Sequence, residues 1–258
     1  RRSFCGAVNG EFVGIENYRT IFANKAFRLA TGNTLRFFGV CVPLLVVLSL
    51  IIAVLLAGQK RFTQILKSFF LLPMAIPVAS VVLLWRLLFD DQGLLNHLLH
   101  MLSVQTTDWM NTGASFYVLV ISYIWRNLGY DVVLWMAGLS AIPAALYEAA
   151  KVDGANCFQK IRYIILPSLR STIVILLLFA LGGIVKGNFG LFYNIVGTNS
   201  LLYDTTDIIE TYVYRSTITD FNFSTASAVG LYQSIIGFCI VMASNFAVKK
   251  IDPEYALF

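Results

Sequence analysis

Charge is what this sequence has least of. Asp, Glu, Lys and Arg together make up 13% of the 258 residues, about half of what a soluble domain of this length uses to cover its surface. That excludes an ordinary water-soluble globule. Cysteine is sparse as well. Cys5, Cys41, Cys157 and Cys239 are scattered without a CxxC pair, two of them inside apolar runs, which argues against a disulfide framework or a cysteine metal centre. The two histidines, His97 and His100, stand three apart with no further ligand nearby and read as surface residues, so no metal is expected. No GxxxxGK followed by Ser or Thr occurs, so the chain has no phosphate loop with which to hold ATP. Nor does a nucleophile or a pair of acids stand out, as a membrane-embedded enzyme would require.

What is present is apolar, at 58% of residues. Continuous runs of about 20 residues match the ~30 Å of hydrocarbon that a helix must cross. They run without the alternation of a β-barrel. The expected class is all-α, a polytopic transmembrane helical bundle. Five spans are legible: Thr34–Ala57, Ser68–Phe89, Ser115 to about Ile142, the run after Pro167, and about Ala226–Val248. The second carries Pro73 and Pro77 and is expected to be kinked. Gly182, Gly183, Gly230 and Gly237 are expected to let helices approach closely.

Basic residues orient the chain. The segments after the first and third spans, with the C-terminal tail, hold nine: Lys60, Arg61, Lys67, Lys151, Lys160, Arg162, Arg170, Lys249 and Lys250. The loops 89–114 and 186–229 hold two, Lys186 and Arg215, against seven acids. The positive-inside rule places 143–167 and the C-terminus in the cytoplasm, and it explains the net charge of +5 without nucleic acid. Residues 1–33 resist this scheme, with five basic residues on the outside. They read as an extracytoplasmic lead-in with an amphipathic helix over 16–30. A preceding span outside this sequence would bring the total to six. Residues 34–258 then form the transmembrane domain, with a cytoplasmic loop at 143–167 and an extracytoplasmic loop at 187–226.

The stretch EAAKVDGANCFQKIRYIILP, residues 148–167, is polar and charged between two apolar runs. Pro143 opens a helix at its first position, and Asp153-Gly154 ends it. Asn156 caps a second helix, with Gln159 as its capping-box partner. Phe158, Ile161 and Ile165 share a face of that helix, and Pro167 closes it and starts the next span. The first helix is thin, with Ala144, Ala145, Ala149 and Ala150 beside the handles Glu148 and Lys151. Such a rod suits a groove on another protein, and it equally suits an ordinary interfacial loop helix.

Glu148-Ala149-Ala150, then Asp153-Gly154-Ala155, then Ile164-x-Leu166-Pro167 resembles, position for position, the EAA loop of binding-protein-dependent ABC importer permeases. The resemblance runs from about Asn17 to the end. The closing motifs NFGLFYNIV, LYDTTDIIETYVYR and GLYQSIIGF look like the polysaccharide and complex-oligosaccharide subgroup of carbohydrate permeases. It implies a type I importer permease fold in a bacterial plasma membrane. The implied partners are a second, homologous permease, a cytoplasmic ATPase dimer that holds ATP and Mg, an extracellular solute-binding lipoprotein, an oligosaccharide and membrane lipid. It further implies that Glu148, Ala149 and Ala150 face a cleft of the ATPase while Gly154 makes the turn. This chain itself would carry no cofactor and would not be an enzyme.

Polar residues inside spans are functional candidates by default. Trp125, Arg126, Asn127, Tyr130 and Asp131 crowd the third span, where rings suit sugar C–H faces and Arg and Asn suit hydroxyls or a carboxylate. Arg126 pairing with Asp131, or with another subunit, is the competing reading. Lys186, Asn188, Phe189 and Tyr193 follow the fourth span, and Tyr232 and Gln233 open the fifth; both sets suit a path. Trp85-Arg86 reads as an interfacial anchor or a substrate contact. In DTTDIIETYVYRSTI, Ile208, Ile209, Tyr212 and Ile218 form an apolar face, with Asp207 and Glu210 in the first turn. The resemblance suggests a docking surface for the binding protein there, and a simple lid is the alternative. A channel or secondary transporter relaying protons through Arg126 and Asp131 should show an internal repeat and needs no coupling loop. The loop match favours the importer.

Overall fold

The computed structural model describes residues 14–57, 63–197 and 199–251. In chain order the helices are α1 (Glu16–Ala23), α2 (Lys25–Ala57), α3 (Thr63–Ala75), α4 (Val78–Phe89), α5 (Leu94–Met101), α6 (Ser115–Ser140) and α7 (Ala144–Val152). They continue as α8 (Cys157–Lys160), α9 (Leu166–Ser168), α10 (Arg170–Lys186), α11 (Phe189–Val196), α12 (Tyr203–Thr206), α13 (Ile209–Ile218) and α14 (Phe223–Ile251). Ile161–Ile165 forms a π-helical turn and Ser200–Leu202 a 3-10 turn. No strand occurs among the described residues, as the continuous apolar runs require.

By themselves α2 and α14 are long and apolar enough to cross a membrane, and three broken pairs raise the total to five. The second expected span is broken outright rather than kinked: α3 ends at Ala75 and α4 begins at Val78. Pro77 explains the restart, because it lacks an N–H and disfavours a helical residue before it. Along α2, Val40, Leu44, Val47, Ile51 and Leu55 are exposed, whereas Phe38, Cys41, Val42, Leu45, Ala53 and Leu56 are buried. At 100° per residue each set falls on its own side of the helix, so one stripe is left for lipid or a partner.

The chain divides into two compact units. One comprises residues 1–38, 78–119 and 183–239; the other comprises 39–77, 120–182 and 240–258. The core of the first includes Ile21, Phe27, Ala30, Tyr212, Ala228 and Val229. That of the second gathers Ala53, Leu56, Val132, Trp135, Leu139, Ile165 and Leu169. Here the fully buried Trp135 donates from Nε1 to Oγ of Ser49 at 2.9 Å.

Three of the four expected glycines make no close helix contact within the chain, and two others do. Gly182, Gly183 and Gly230 have open space where a Cβ would stand. A Cβ on Gly129 would lie 1.8 Å from the carbonyl oxygen of Phe70, so α6 meets α3 backbone to backbone. One on Gly138 would lie 2.7 Å from side-chain atoms of Leu169 and Thr172.

Candidate functional site

The loop between α6 and α10 follows its sequence closely. The axis turns by 75° between α6 and α7, and Pro143 occupies the N-cap rather than the first helical position. With ψ at 133° it is extended, and the helix axis changes direction there. Gly154 takes φ +70°, a left-handed conformation that costs other residues ~1 kcal/mol or more. The capping box at Asn156 is complete. The Asn156 side chain accepts from the Gln159 N–H at 2.9 Å, and Gln159 Oε1 accepts from the Asn156 N–H at 2.8 Å.

Three further details of this loop depart from expectation. Ala150 is buried within its own unit, at 7% exposure, while Glu148 and Ala149 face outward. On a helix, neighbours one apart point about 100° away from each other, so three consecutive residues cannot share one outward face. Phe158 also leaves the face of Ile161 and Ile165 and is 69% exposed. Pro167 does not close the second helix: the chain stays helical to Ser168 and breaks at Leu169, where the axis turns by 68°. The π turn explains this. The Leu166 N–H reaches back five residues to the Ile161 carbonyl, and this wider turn relieves the carbonyl that a proline ring would strike in a regular helix. Ile164 and Leu166 lie half-buried beside that turn.

In the second unit, Arg126 is committed to backbone. Its Nη1 donates to the Ile76 carbonyl at 2.8 Å, placing a cation at the C-terminal end of α3, where carbonyls lack helical partners. Arg126 and Asp131 form no ion pair; among the described residues the ion pair is Arg215–Asp207. Asn127 donates to the Tyr123 carbonyl of its own helix at 2.8 Å. Asp131 is buried, Trp125 is half-buried, and Tyr130 is exposed with its ring 6.4 Å from that of Phe179. Sequence gave no sign of Ile76 as the partner, because a backbone acceptor carries no residue signature.

In the first unit, α11 and α13 build an aromatic platform. Asn188 caps α11 by accepting from the Leu191 N–H. The Phe189 and Tyr193 rings stack at 5.1 Å, and Tyr214 lies 4.9 Å from each. Oε2 of Glu210 accepts from the Phe189 N–H at 2.6 Å, a carboxylate at the positive start of a helix. Gly187, at φ +63°, makes room for it: a Cβ there would lie 2.9 Å from the Glu210 carboxyl carbon. Phe189, Glu210, Val213, Tyr214 and Gln233 line a cavity of 270 Å³. Sequence alone does not join Tyr214 and Glu210 to this group, though their four-residue spacing puts them on one helix face.

Other path candidates separate from this group. Tyr232 joins the core of its unit, edge-on to Phe22 at 5.3 Å and Phe27 at 5.6 Å. Its half-buried ring meets an apolar cluster there. Trp85 is likewise no interfacial anchor: it is 5% exposed and packs on Phe89. Arg86 is exposed and lines a separate cavity of 490 Å³ with Asp90, Asn111 and Asn199. Lys60 and Arg61 lie outside the described residues, as do the side chains of Lys67 and Lys186.

The loop 199–222 is latched to the start of α2. Nδ2 of Asn33 donates to the carbonyls of Tyr203 and Asp204, and Oγ1 of Thr34 accepts from the Ile209 N–H. Asp207 precedes α13 instead of occupying its first turn, and it takes a bidentate pair from Arg215 at 2.6 and 3.1 Å. Burial alone would lower the Arg215 pKa, but the hydrogen bond and charge of Asp207, with Tyr203, outweigh it and raise the value. The guanidinium also covers the Tyr203 ring at 4.1 Å. Ile208 and Tyr212 are buried as expected, whereas Ile218 is exposed near the helix end.

Comparison with known proteins bears on all of these elements. A family model described as binding-protein-dependent transport system inner membrane component matches residues 45–255. Protein LplB of Bacillus subtilis is 30% identical over 255 residues, 97% of this chain and 80% of that protein. The polygalacturonan/rhamnogalacturonan transport system permease protein YteP of the same organism is 29% identical, covering 97% and 79%. Among solved structures, a chain of a bacterial alginate ABC transporter, in complex with an alginate pentasaccharide-bound periplasmic protein, superposes with a TM-score of 0.87. It is 26% identical, over 93% of this chain and 84% of that one.

Proposed function

Because the chain belongs to the binding-protein-dependent transport system inner membrane components, a family of ABC importer permease subunits, we propose that it passes an oligosaccharide, delivered by an external binding protein, into the cell. The chain is a transport subunit and not itself the ATPase. ATP and Mg belong to a pair of cytoplasmic ATPase subunits, and a second, homologous permease completes the membrane path. The observation that carries this reading is the loop over 143–167. It presents Glu148 and Ala149 outward on a thin helix, closes it with Gly154 at φ +70°, and returns through a capped second helix. These features sit at the very positions of the EAA pattern, which an ordinary connecting loop would have no reason to match. The orientation by basic residues supports a cytoplasmic position for it and for the C-terminus.

For the sugar, two places fit. The platform of Phe189, Tyr193 and Tyr214 offers ring faces, with the Tyr hydroxyls and Gln233 as hydrogen-bonding groups beside them. Tyr130, with Trp125 and Asn127, offers a second set along α6. The names of YteP and the alginate transporter support a glycan cargo.

The test is coupled uptake in a reconstituted complex. Replacing Glu148 with Ala, or Ala149 with Trp, is expected to abolish uptake while ATP hydrolysis continues and the external binding protein still docks. Full transport by both variants refutes the coupling role. Tyr214→Ala is expected to raise the half-saturating glycan concentration about tenfold, in line with the loss of one aromatic contact.

A further inference from the structure

We propose that the elbow formed by α1 and the first turns of α2 is a binding surface for anionic phospholipid headgroups. From Gly14 to Arg36 the sequence holds four cations, Arg19, Lys25, Arg28 and Arg36, against one carboxylate, Glu16. Arg36 is engaged, its guanidinium 4.5 Å from the Phe116 ring centre. Arg19, Lys25 and Arg28 are all exposed, and none of them takes part in the ion pair found among the described residues. Charges of one sign left open within ten residues repel one another unless an anion lies among them.

Apolar exposure accompanies the charge. Ile15 is 69% and Phe22 48% exposed, Phe22 with one edge against Tyr232, while Ile21, about 100° round the helix from Phe22, is buried in the core. The elbow therefore has one face fixed to its own unit and another that is apolar and cationic at once, the combination that suits a helix lying in the headgroup layer. Its fixing is specific: α1 stops at Asn24, whose side chain donates to the Tyr212 hydroxyl at 3.2 Å and accepts from the Ala26 N–H at 2.9 Å. Depth agrees as well. The apolar run of α2 from Thr34 to Ala57, about 24 residues, spans ~36 Å at 1.5 Å per residue, so the elbow falls at the edge of the hydrocarbon. This also accounts for basic residues on a side where the charge rule expects few: they answer lipid phosphates. The inference rests on α2 crossing the membrane and is independent of the cargo.

Native mass spectrometry of the full complex in gentle detergent, titrated with phosphatidylglycerol or phosphatidylcholine, tests it. Each surface cation contributes about fivefold to anionic-lipid affinity. The Arg19→Gln/Lys25→Gln/Arg28→Gln variant should therefore retain phosphatidylglycerol on the order of a hundredfold more weakly. The charge-keeping Arg19→Lys/Lys25→Arg/Arg28→Lys variant should retain it as the unsubstituted complex does. Equal retention by the glutamine variant overturns the proposal. So does equal retention of the two lipids by the unsubstituted complex, a comparison that decides alone should the glutamine variant fail to assemble. Glycan uptake read in parallel keeps the two proposals apart, since lipid retention can be lost while the transport reading stands.

Discussion

Gly129 and Gly182 are both glycines in apolar helices, yet substitution should separate them sharply. A methyl at 129 would collide with the Phe70 carbonyl, part of a backbone with no rotamer to change. Gly129→Ala is expected to cost about 3 kcal/mol or more, seen as a fall in the melting temperature of the detergent-solubilised complex; Gly182→Ala should leave it unchanged. A similar loss at both positions would contradict the packing. Arg126 offers a second residue-scale test. Removing its bond to Ile76 with Arg126→Ala should cost about 1.5–3 kcal/mol, as for hydrogen bonds to charged groups, with partial recovery in Arg126→Lys. If melting and assembly are unchanged while uptake falls, Arg126 serves the sugar and not the helix end.

At the scale of elements, the ion pair that closes the loop before α13 carries the prediction. Asp207 is 3% exposed and is held by Arg215 and by the Thr211 hydroxyl. Arg215→Ala leaves a buried carboxylate without its cation, and about 3 kcal/mol should be lost locally. Faster hydrogen exchange confined to 203–218 is the expected signature, and unchanged exchange would count against the latch. The same scale shows what sequence could and could not tell. Caps and turns were legible at Asn156, Gln159 and Gly154, because each depends on a side chain and its near neighbours. The restart at Val78 was foreshadowed by Pro77, though only as a kink, since the strength of a proline break depends on which partners receive the freed carbonyls. The positions of Ala150, Tyr232 and Trp85 were not legible, because all three depend on packing against residues far away in sequence. Only part of the aromatic platform is legible in sequence. Phe189 and Tyr193 stand out beside the fourth span, while Tyr214 belongs to a helix joined to them only in space.

For the whole molecule, the long apolar stripe of α2 is the feature that water cannot accommodate. Val47 and Ile51, near its middle, are 53% and 50% exposed. Aspartate at either position should raise the cost of membrane insertion by about 3 kcal/mol, falling toward the ends of the helix; a glycosylation-tag insertion assay measures this directly. Equal tolerance in the middle and at the ends would mean that this stripe does not lie in hydrocarbon.

The Arg126 contact with Ile76 also bears on how such a chain can change over evolutionary time. The break before Val78 and the guanidinium that answers it are a matched pair. Healing the break would strand a cation in an apolar setting, and losing the cation would strand a carbonyl. A single change at either place is harmful, while a joint change need not be. A double-mutant cycle between Pro77→Leu and Arg126→Leu should therefore show strong non-additivity, with the double variant more stable than the sum of its parts. The route between the two forms of the helix would then pass through a valley that neither substitution crosses alone.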